Sequence, residues 1–212
     1  MPPGPHPGFN RNVFINCPFD SQYNTSFLRP ILFTIIYFGF TPQIASQTTD
    51  SGEQRIDKIL SLILKSRYSI HDLSRIRSRR RGEFFRLNIP FELGIDYGCR
   101  RTSTGYLKKK RFLVLGAKSH DYKRALSDLA GIDAESHANR PDIAVVVLRN
   151  WFVDTVRLKN ISSGSAIWEK FLDFRAGFYD EMEKAGFSKR DIKMMPVREY
   201  ISAIRHWLMT HS

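Results

Sequence analysis

The sequence VFINCPFD, residues 13–20, decides the predicted fold. Its first five residues are largely apolar and β-branched, which predicts a buried strand, and the PFD that follows ends the strand in a loop. Residues 26–38 are apolar, with Pro30 near their start and Gly39 directly after them, an arrangement typical of a helix. A buried strand that leads into an apolar helix is how an α/β fold begins.

Strands and helices continue to alternate along the chain. The predicted strands are residues 40–45, 68–73 and 111–115, and the predicted helices are residues 55–65, 88–100 and 122–129. In the helix at 88–100 we expect Asn88 as the N-terminal cap and Pro90 in the first turn. Residues 142–148 (DIAVVVL) fit either a buried strand or an apolar helix, because periodicity does not separate the two. This alternation predicts a parallel sheet with helices on both faces.

The domain organisation follows from composition. Residues 1–11 (MPPGPHPGFNR) predict a flexible tail, residues 12–158 an α/β domain, and residues 159–212 a helical extension of the same domain. Two apolar helical stripes and a capping box at Ser188–Asp191 support the extension. The stripes are Ile167, Phe171, Phe174, Phe178 and Met182, and then Val197, Ile201, Ile204 and Leu208. These helices either cover the sheet of their own chain or dock a partner.

Composition excludes several classes of protein. With 42% hydrophobic and 13% aromatic residues, the 212-residue chain can fill a core, unlike a disordered, collagen-like or disulfide-scaffold chain. Its longest apolar run, residues 30–40, is shorter than the roughly 20 residues that a bilayer span needs, so we expect no membrane segment. Without a signal peptide we expect a cytoplasmic protein in which Cys17 and Cys99 are thiols. The six histidines lack metal-ligand spacing, so no metal site is expected.

The positive charge is concentrated in one segment. The chain has a formal net charge of +12, and residues 75–111 hold twelve basic residues against Glu83, Glu92 and Asp96. Such a field attracts phosphate groups, whether of a nucleotide, a nucleic acid or a membrane surface. The alternative interpretation is a solvated loop that keeps the protein in solution.

The candidate site lies where the strands end. In parallel α/β sheets, ligands bind beyond the carboxyl ends of the strands, near a switch in strand order. We therefore expect the carboxylates of Asp20, Asp72 and Glu92 to face one crevice. The other candidate binding residues at these ends are Asn16, Pro18, Phe19, Ser74, Arg75 and Phe91.

The residue types in this crevice suit chemistry on a sugar. We expect Glu92 in the first turn of its helix, where the helix dipole favours the ionised carboxylate. Such a carboxylate can attack or stabilise an oxocarbenium-like centre. Asp20 or Asp72 can bind ribose hydroxyls, and Arg75 with the basic loop can bind a phosphate. The rings that can stack on a base are Phe14, Phe19, Tyr23 and Phe91.

Each of these residues also has a structural interpretation. Glu92 can be an ordinary carboxylate at a helix start, Asp72 can cap the turn after its strand, and Asp20 can cap the next helix. His71 fits a strand residue with a satisfied hydrogen bond. Cys17 fits a small buried side chain, since nothing in the sequence places a base beside it.

Residues 12–150 resemble two related groups of proteins. The series VFINCPFD, YSIHDLSR and PFELG, with the intervening helices and strand, resembles the TIR-domain pattern. It also resembles the nucleoside 2-deoxyribosyltransferase-like group, in which an Asp follows a middle strand and a Glu-hydrophobe-Gly begins the next helix. Asp72 and Glu92-Leu93-Gly94 occupy those places here.

The resemblance implies a flavodoxin-like fold and cleavage of an N-glycosidic bond. For a TIR-like enzyme, the substrate is NAD, which needs no further cofactor, and Glu92 is the key catalytic residue, with Asp72 beside it. It also implies a bacterial protein of anti-phage defence and self-association into a homo-oligomer. The alternatives left open are a deoxyribosyltransferase and a non-catalytic module that binds a nucleotide or a nucleic acid through residues 75–111.

Overall fold

The computed structural model describes residues 4–47, 50–76, 87–118, 121–124, 126–129 and 131–211. The chain divides into two compact units. The first is made of Met1–Pro18, Phe40–Ala45 and Asp50–Arg140, and the second of Phe19–Gly39, Ser46–Thr49 and Pro141–Ser212. Residues 19–39 thus belong with the C-terminal helices, a grouping that the sequence analysis did not anticipate.

A five-stranded sheet organises the first unit. Its strands are β1 (Asn12–Asn16), β2 (Thr41–Gln43), β3 (Tyr68–Asp72), β4 (Arg111–Gly116) and β5 (Ala134–Ser136). All neighbours pair in parallel, in the order β2-β1-β3-β4-β5. This order is the flavodoxin-like one and confirms the predicted α/β class. The sequence analysis missed β5, in which Ala134 and Ser136 are half-buried and Glu135 is exposed.

Two longer helices pack on this sheet. Helix α3 (Arg55–Leu64) buries Ile59 and Ile63 against Phe14 of β1. Helix α4 (Asn88–Thr102) buries Ile89 and Leu93 against a cluster that contains Leu73 and Val114. Short 3-10 helices span Ala45–Gln47, Gly105–Lys109, Asp121–Arg124 and Ser127–Leu129.

Two local predictions in this unit are wrong. The helix expected at 122–129 is replaced by the last two 3-10 turns, although Tyr122, Leu126 and Leu129 pack against the apolar cluster at α4 as the sequence pattern suggested. The hydroxyl of Tyr122 donates to the carbonyl oxygen of Ile132. Asn88 is the first helical residue and not the cap. The cap position is Leu87, whose side chain cannot accept a hydrogen bond from the helix.

The second unit is helical. Its helices are α1 (Ser21–Tyr23), α2 (Arg29–Tyr37), α5 (Pro141–Asp154), α6 (Gly164–Lys184), α7 (Lys189–Met194) and α8 (Val197–Thr210), with a π-helical turn at Asn24–Leu28. The ambiguous residues 142–148 therefore belong to a helix. The capping box at Ser188 and Asp191 is confirmed. Among the helices that the structure describes, none combines the length and apolarity needed to cross a membrane.

Aromatic packing holds the second unit together. The ring of Phe33 lies 5.7 Å from Phe171, 5.5 Å from Phe174 and 6.0 Å from Trp207, measured between centroids. Arg29 is buried, donates to the carbonyl oxygen of Ile192 and lies over the ring of Tyr200. These contacts join α2 to α6, α7 and α8.

Helix α6 lies close to Val146 of α5 at Gly164, and this close contact provides a test of the packing. A Cβ at Gly164 would lie 2.7 Å from Cγ2 and 2.8 Å from Cα of Val146, too close for either atom. We expect Gly164→Ala to destabilise the protein by about 1–3 kcal/mol through overpacking. Gly177, in the same helix, has open space around its Cα, so Gly177→Ala should stabilise by up to about 1 kcal/mol. Urea unfolding measures both; equal effects of the two substitutions would contradict this packing.

Candidate functional site

The sheet face covered by α4 carries buried polar side chains instead of a wholly apolar row. Asn16 at the end of β1 and His71 in β3 are register partners, and both are buried. Asp96 of α4 is buried as well. Buried polar groups are costly unless hydrogen-bonded, so their partners determine what this face can do.

A directed chain of hydrogen bonds connects these residues. The Asn16 Nδ2 group donates to the carbonyl oxygen of Ile89 at 2.8 Å, which sets the orientation of the amide. The same Nδ2 group lies 3.0 Å from Nδ1 of His71, so that ring nitrogen accepts. The proton of the neutral ring is therefore on Nε2, which donates to Oδ2 of Asp96 at 3.2 Å.

Lys110 completes the chain on the other side of Asp96. Its Nζ lies 3.1 Å from Oδ1 of Asp96, donates to the carbonyl oxygen of Ile63 at 2.8 Å and also donates to that of Ser66. The Lys110 and Asp96 side chains are fully buried. Burial by itself would raise the pKa of Asp96, but the His71 hydrogen bond and the Lys110 charge hold it below its usual value. This ammonium group thus ties the end of α3 and the middle of α4 to the start of β4.

Glu92 lies on the same face of α4, between Ile89 and Asp96, the two residues that hydrogen-bond to the sheet. It follows Ile89 by three residues and precedes Asp96 by four, so the helix turns all three toward the sheet. Its residue exposure is only 5%. Burial raises the pKa of Glu92 to about 7, and the charge of Arg55 on α3 opposes the shift only in part.

Two expectations about Glu92 are therefore wrong. The helix begins at Asn88, which places Glu92 in the second turn and beyond the free N–H groups of the first. The pKa of Glu92 is raised and not lowered as expected, because the effect of burial is larger than any effect of the helix end. At neutral pH the group is instead divided between its protonated and ionised forms.

Asp72 at the end of β3 has partners on both carboxylate oxygens. The backbone N–H of Ser74 donates to Oδ1 at 2.8 Å, which is the turn cap considered as the structural alternative. Nε2 of the buried His137 lies 3.4 Å from Oδ2. The N–H of Asn139 donates to Nδ1 of His137, which leaves the ring proton of the neutral form on Nε2, toward Asp72.

Sequence reasoning missed His137, and the cause is local. The residue follows β5, the strand that was not predicted, and the next two residues, Ala138 and Asn139, have positive φ angles of 50° and 56°. The sequence did contain one signal of a tight turn here, Asn139, because Asn tolerates the left-handed conformation better than most residues.

The remaining predicted site residues are placed as follows. Pro18 is buried just after β1, Ser74 and Arg75 are half-buried after β3, and Phe91 is 59% exposed beside Glu92. Phe19 and Asp20 belong to the second unit, where Phe19 is exposed and Asp20 accepts from the N–H of Tyr23 as the cap of α1. The single crevice for Asp20, Asp72 and Glu92 stays a prediction.

The described residues include both cysteines but only part of the basic loop. Much of the basic loop, residues 77–86, lies outside the described residues. Cys17 and Cys99 form no disulfide, and Cys17 is buried as its structural interpretation required. In the part of the chain that the structure describes, no cluster of three or more His, Cys, Asp or Glu side chains is arranged to hold a metal ion.

Comparison with known proteins adds no assignment. No protein-family model matches the chain, and no curated protein sequence matches it significantly. The geometry of Glu92 and its surroundings is therefore the basis for a proposed function.

The Lys110–Asp96 pair can be tested by stability. Lys110→Met leaves the Asp96 carboxylate buried without its countercharge and two carbonyl oxygens without a donor, so we expect a loss of about 3–5 kcal/mol. Lys109→Met changes an exposed neighbour and should cost less than about 0.5 kcal/mol. Urea unfolding at pH 7 compares the two variants; similar losses would contradict the structural role of the pair.

The raised pKa of Glu92 predicts a specific dependence of stability on pH. Between about 4.5 and about 7 the folded protein retains a proton that the unfolded chain has released. The free energy of unfolding of wild type, minus that of Glu92→Gln, should therefore fall as the pH rises through this window and become constant above it. Denaturant unfolding of both proteins from pH 4.5 to 8.5 measures the difference, and a difference that does not change with pH would contradict the shift.

Proposed function

We propose that this protein cleaves the N-glycosidic bond of a nucleotide, with NAD as the preferred substrate and Glu92 as the reacting carboxyl group. One observation carries the proposal: a buried glutamate with a pKa of about 7 lies near the carboxyl edge of a parallel sheet with flavodoxin-like order. That edge is where such folds bind their ligands.

The titration of Glu92 suits this bond. The carboxylate form can attack the anomeric carbon or stabilise an oxocarbenium-like transition state. The protonated form can donate to a departing base. Nicotinamide leaves NAD as a neutral ring and needs no proton, so NAD cleavage requires the carboxylate form. A purine leaves more readily when it is protonated, so its release benefits from the acid form.

The neighbouring residues support binding of a nucleotide. Arg75 and Ser74 follow β3 and can hold phosphate oxygens. The exposed ring of Phe91 can stack on a base. Oδ1 of Asn16 is buried and has no hydrogen-bond partner among the described residues, so it offers an acceptor to a sugar hydroxyl.

The reaction has a second form, in which a free base instead of water accepts the sugar. A deoxyribosyltransferase would use the Glu92 carboxylate as its nucleophile and pass the sugar to another base instead of water. The resemblance of Asp72 and Glu92-Leu93-Gly94 to that group favours including deoxynucleosides in the test.

The direct test is product analysis with purified protein. Wild type, Glu92→Gln and Glu169→Gln are incubated with NAD and, separately, with a mixture of deoxynucleosides and free bases, and the products are measured by mass spectrometry. Glu92→Gln should lower turnover at least about 100-fold because it removes the reacting group. Glu169, an exposed residue of α6, serves as the matched control and its variant should retain activity.

The outcomes separate the two forms of the reaction. Release of nicotinamide supports hydrolysis of NAD, and its kcat/KM should rise with pH around the Glu92 pKa of about 7. Base exchange supports the transferase. Turnover that Glu92→Gln leaves unchanged, or no turnover of either substrate by wild type, would contradict the proposal.

A further inference from the structure

The amino edge of the sheet carries a concentration of positive charge that includes the last part of the basic segment 75–111. Three segments that precede strands in the first unit, residues 4–11, 65–67 and 100–110, contain no acidic residue. We name the basic residues of this edge that do not point into the core the amino-edge surface. They are Arg11, Lys65, Arg67, Arg100, Arg101, Lys108, Lys109 and Arg111.

The backbone aligns three of these residues. The N–H of Arg111 donates to the carbonyl oxygen of Arg67 at 3.0 Å, and the N–H of Arg67 donates to that of Phe9. The carbonyl oxygen of Arg11 accepts from the N–H of Thr41 at 2.9 Å. The parallel ladder thus continues one residue before the strands, and neighbouring strands lie about 4.8 Å apart. The register pairs Val13 with Tyr68 and Tyr68 with Arg111. Arg11, Arg67 and Arg111 therefore lie at the amino ends of the adjacent strands β1, β3 and β4, each displaced from the next by one register position.

Aromatic neighbours hold several guanidinium groups in place. Arg11 lies 5.1 Å from the ring centroid of Phe40, and Arg67 lies 5.4 Å from that of Tyr68. Arg100 lies 5.3 Å from the ring centroid of Phe112. Stacked arginines retain donors for a ligand and lose less side-chain freedom when they bind it.

The ion pairs of the described residues leave this surface without a paired carboxylate. Among the residues that the structure describes, no carboxylate forms an ion pair with any of its eight members. Asp96, the acidic residue in α4 nearest to them along the chain, is buried and paired with Lys110. Eight like charges on one edge repel one another, and a polyanion relieves that repulsion.

We propose that the amino-edge surface binds the phosphate backbone of double-stranded nucleic acid without reading its sequence. The exposed phenylalanines of the described chain, Phe19, Phe91 and Phe187, lie outside the segments of this surface. It therefore offers charge without an exposed phenylalanine on which the unpaired bases of a single strand could stack.

This surface is distinct from the candidate catalytic edge. Residues Asn16, Arg75 and Glu92 lie toward the carboxyl ends of the strands, and a five-residue strand such as β1 separates the two edges by about 16 Å. Arg75, counted with one basic segment in the sequence, therefore lies at the opposite edge from Lys108 and Lys109. Nucleic-acid binding here does not depend on the proposed N-glycosidic activity.

The test is a salt titration of duplex binding with charge-matched variants. A fluorescein-labelled 20-base-pair duplex is titrated with wild type, with Lys108→Gln/Lys109→Gln and with Lys184→Gln/Lys189→Gln, and anisotropy is followed from 50 to 200 mM salt. Both variants lose two exposed positive charges, but the second loses them from the helical unit.

We expect the first variant to bind at least about tenfold more weakly at 100 mM salt and its log–log salt slope to be shallower by about 1.8, as for two lost phosphate contacts. The second should change affinity less than about twofold, since its two charges do not belong to the amino-edge surface. Glu92→Gln should bind as wild type does.

Three results would overturn the proposal. One is equal weakening by both double variants, which would indicate a response to net charge alone. Another is single-stranded DNA bound more tightly than the duplex. The last is a wild type that binds vesicles containing phosphatidylserine through Lys108 and Lys109 while leaving the duplex unbound, which would identify a membrane surface as the ligand.

Discussion

The buried ion pair between Lys110 and Asp96 is the interaction on which the first unit depends. Its ammonium group lies against the Asp96 carboxylate and donates to the carbonyl oxygens of Ile63 and Ser66. Both charged side chains are fully buried. Removing two charges from water is expensive, so such a pair is retained only with nearly complete hydrogen bonding. Here that bonding joins α3 and α4 to the start of β4.

The same pair helps to hold Glu92, one helical turn before Asp96, against the sheet. Asp96 accepts from His71, whose other nitrogen faces Asn16, and Asn16 donates to the first turn of α4. Both the middle and the beginning of α4 are therefore held to the sheet, and Glu92 lies between them. The Glu92 carboxyl group is buried there, and burial raises its pKa to about 7. The structural carboxylate of Asp96 and the candidate reacting group of Glu92 thus lie on the same face of α4.

The sequence predicted what local patterns determine. Strands β1 and β3 were visible as short apolar runs, and the Ser188–Asp191 capping box was visible from four residues. Strand β5 was missed because its three residues are held by pairing with β4, a contact that no local pattern encodes. The charge state of Glu92 was mispredicted for a related reason. Helix position can be inferred locally, but burial against a sheet is a tertiary property, and it dominates the pKa.

The most direct test of this account is the tautomer of His71. Nitrogen-15 NMR distinguishes the protonated from the unprotonated ring nitrogen, and a spectrum of His71→Gln assigns the signals among the six histidines. The hydrogen-bond chain predicts that the ring proton of the neutral form is on Nε2, directed at Asp96, and that Nδ1 is unprotonated. A proton on Nδ1 instead would mean that Asn16 does not donate to the ring, and the chain that positions α4 would be contradicted.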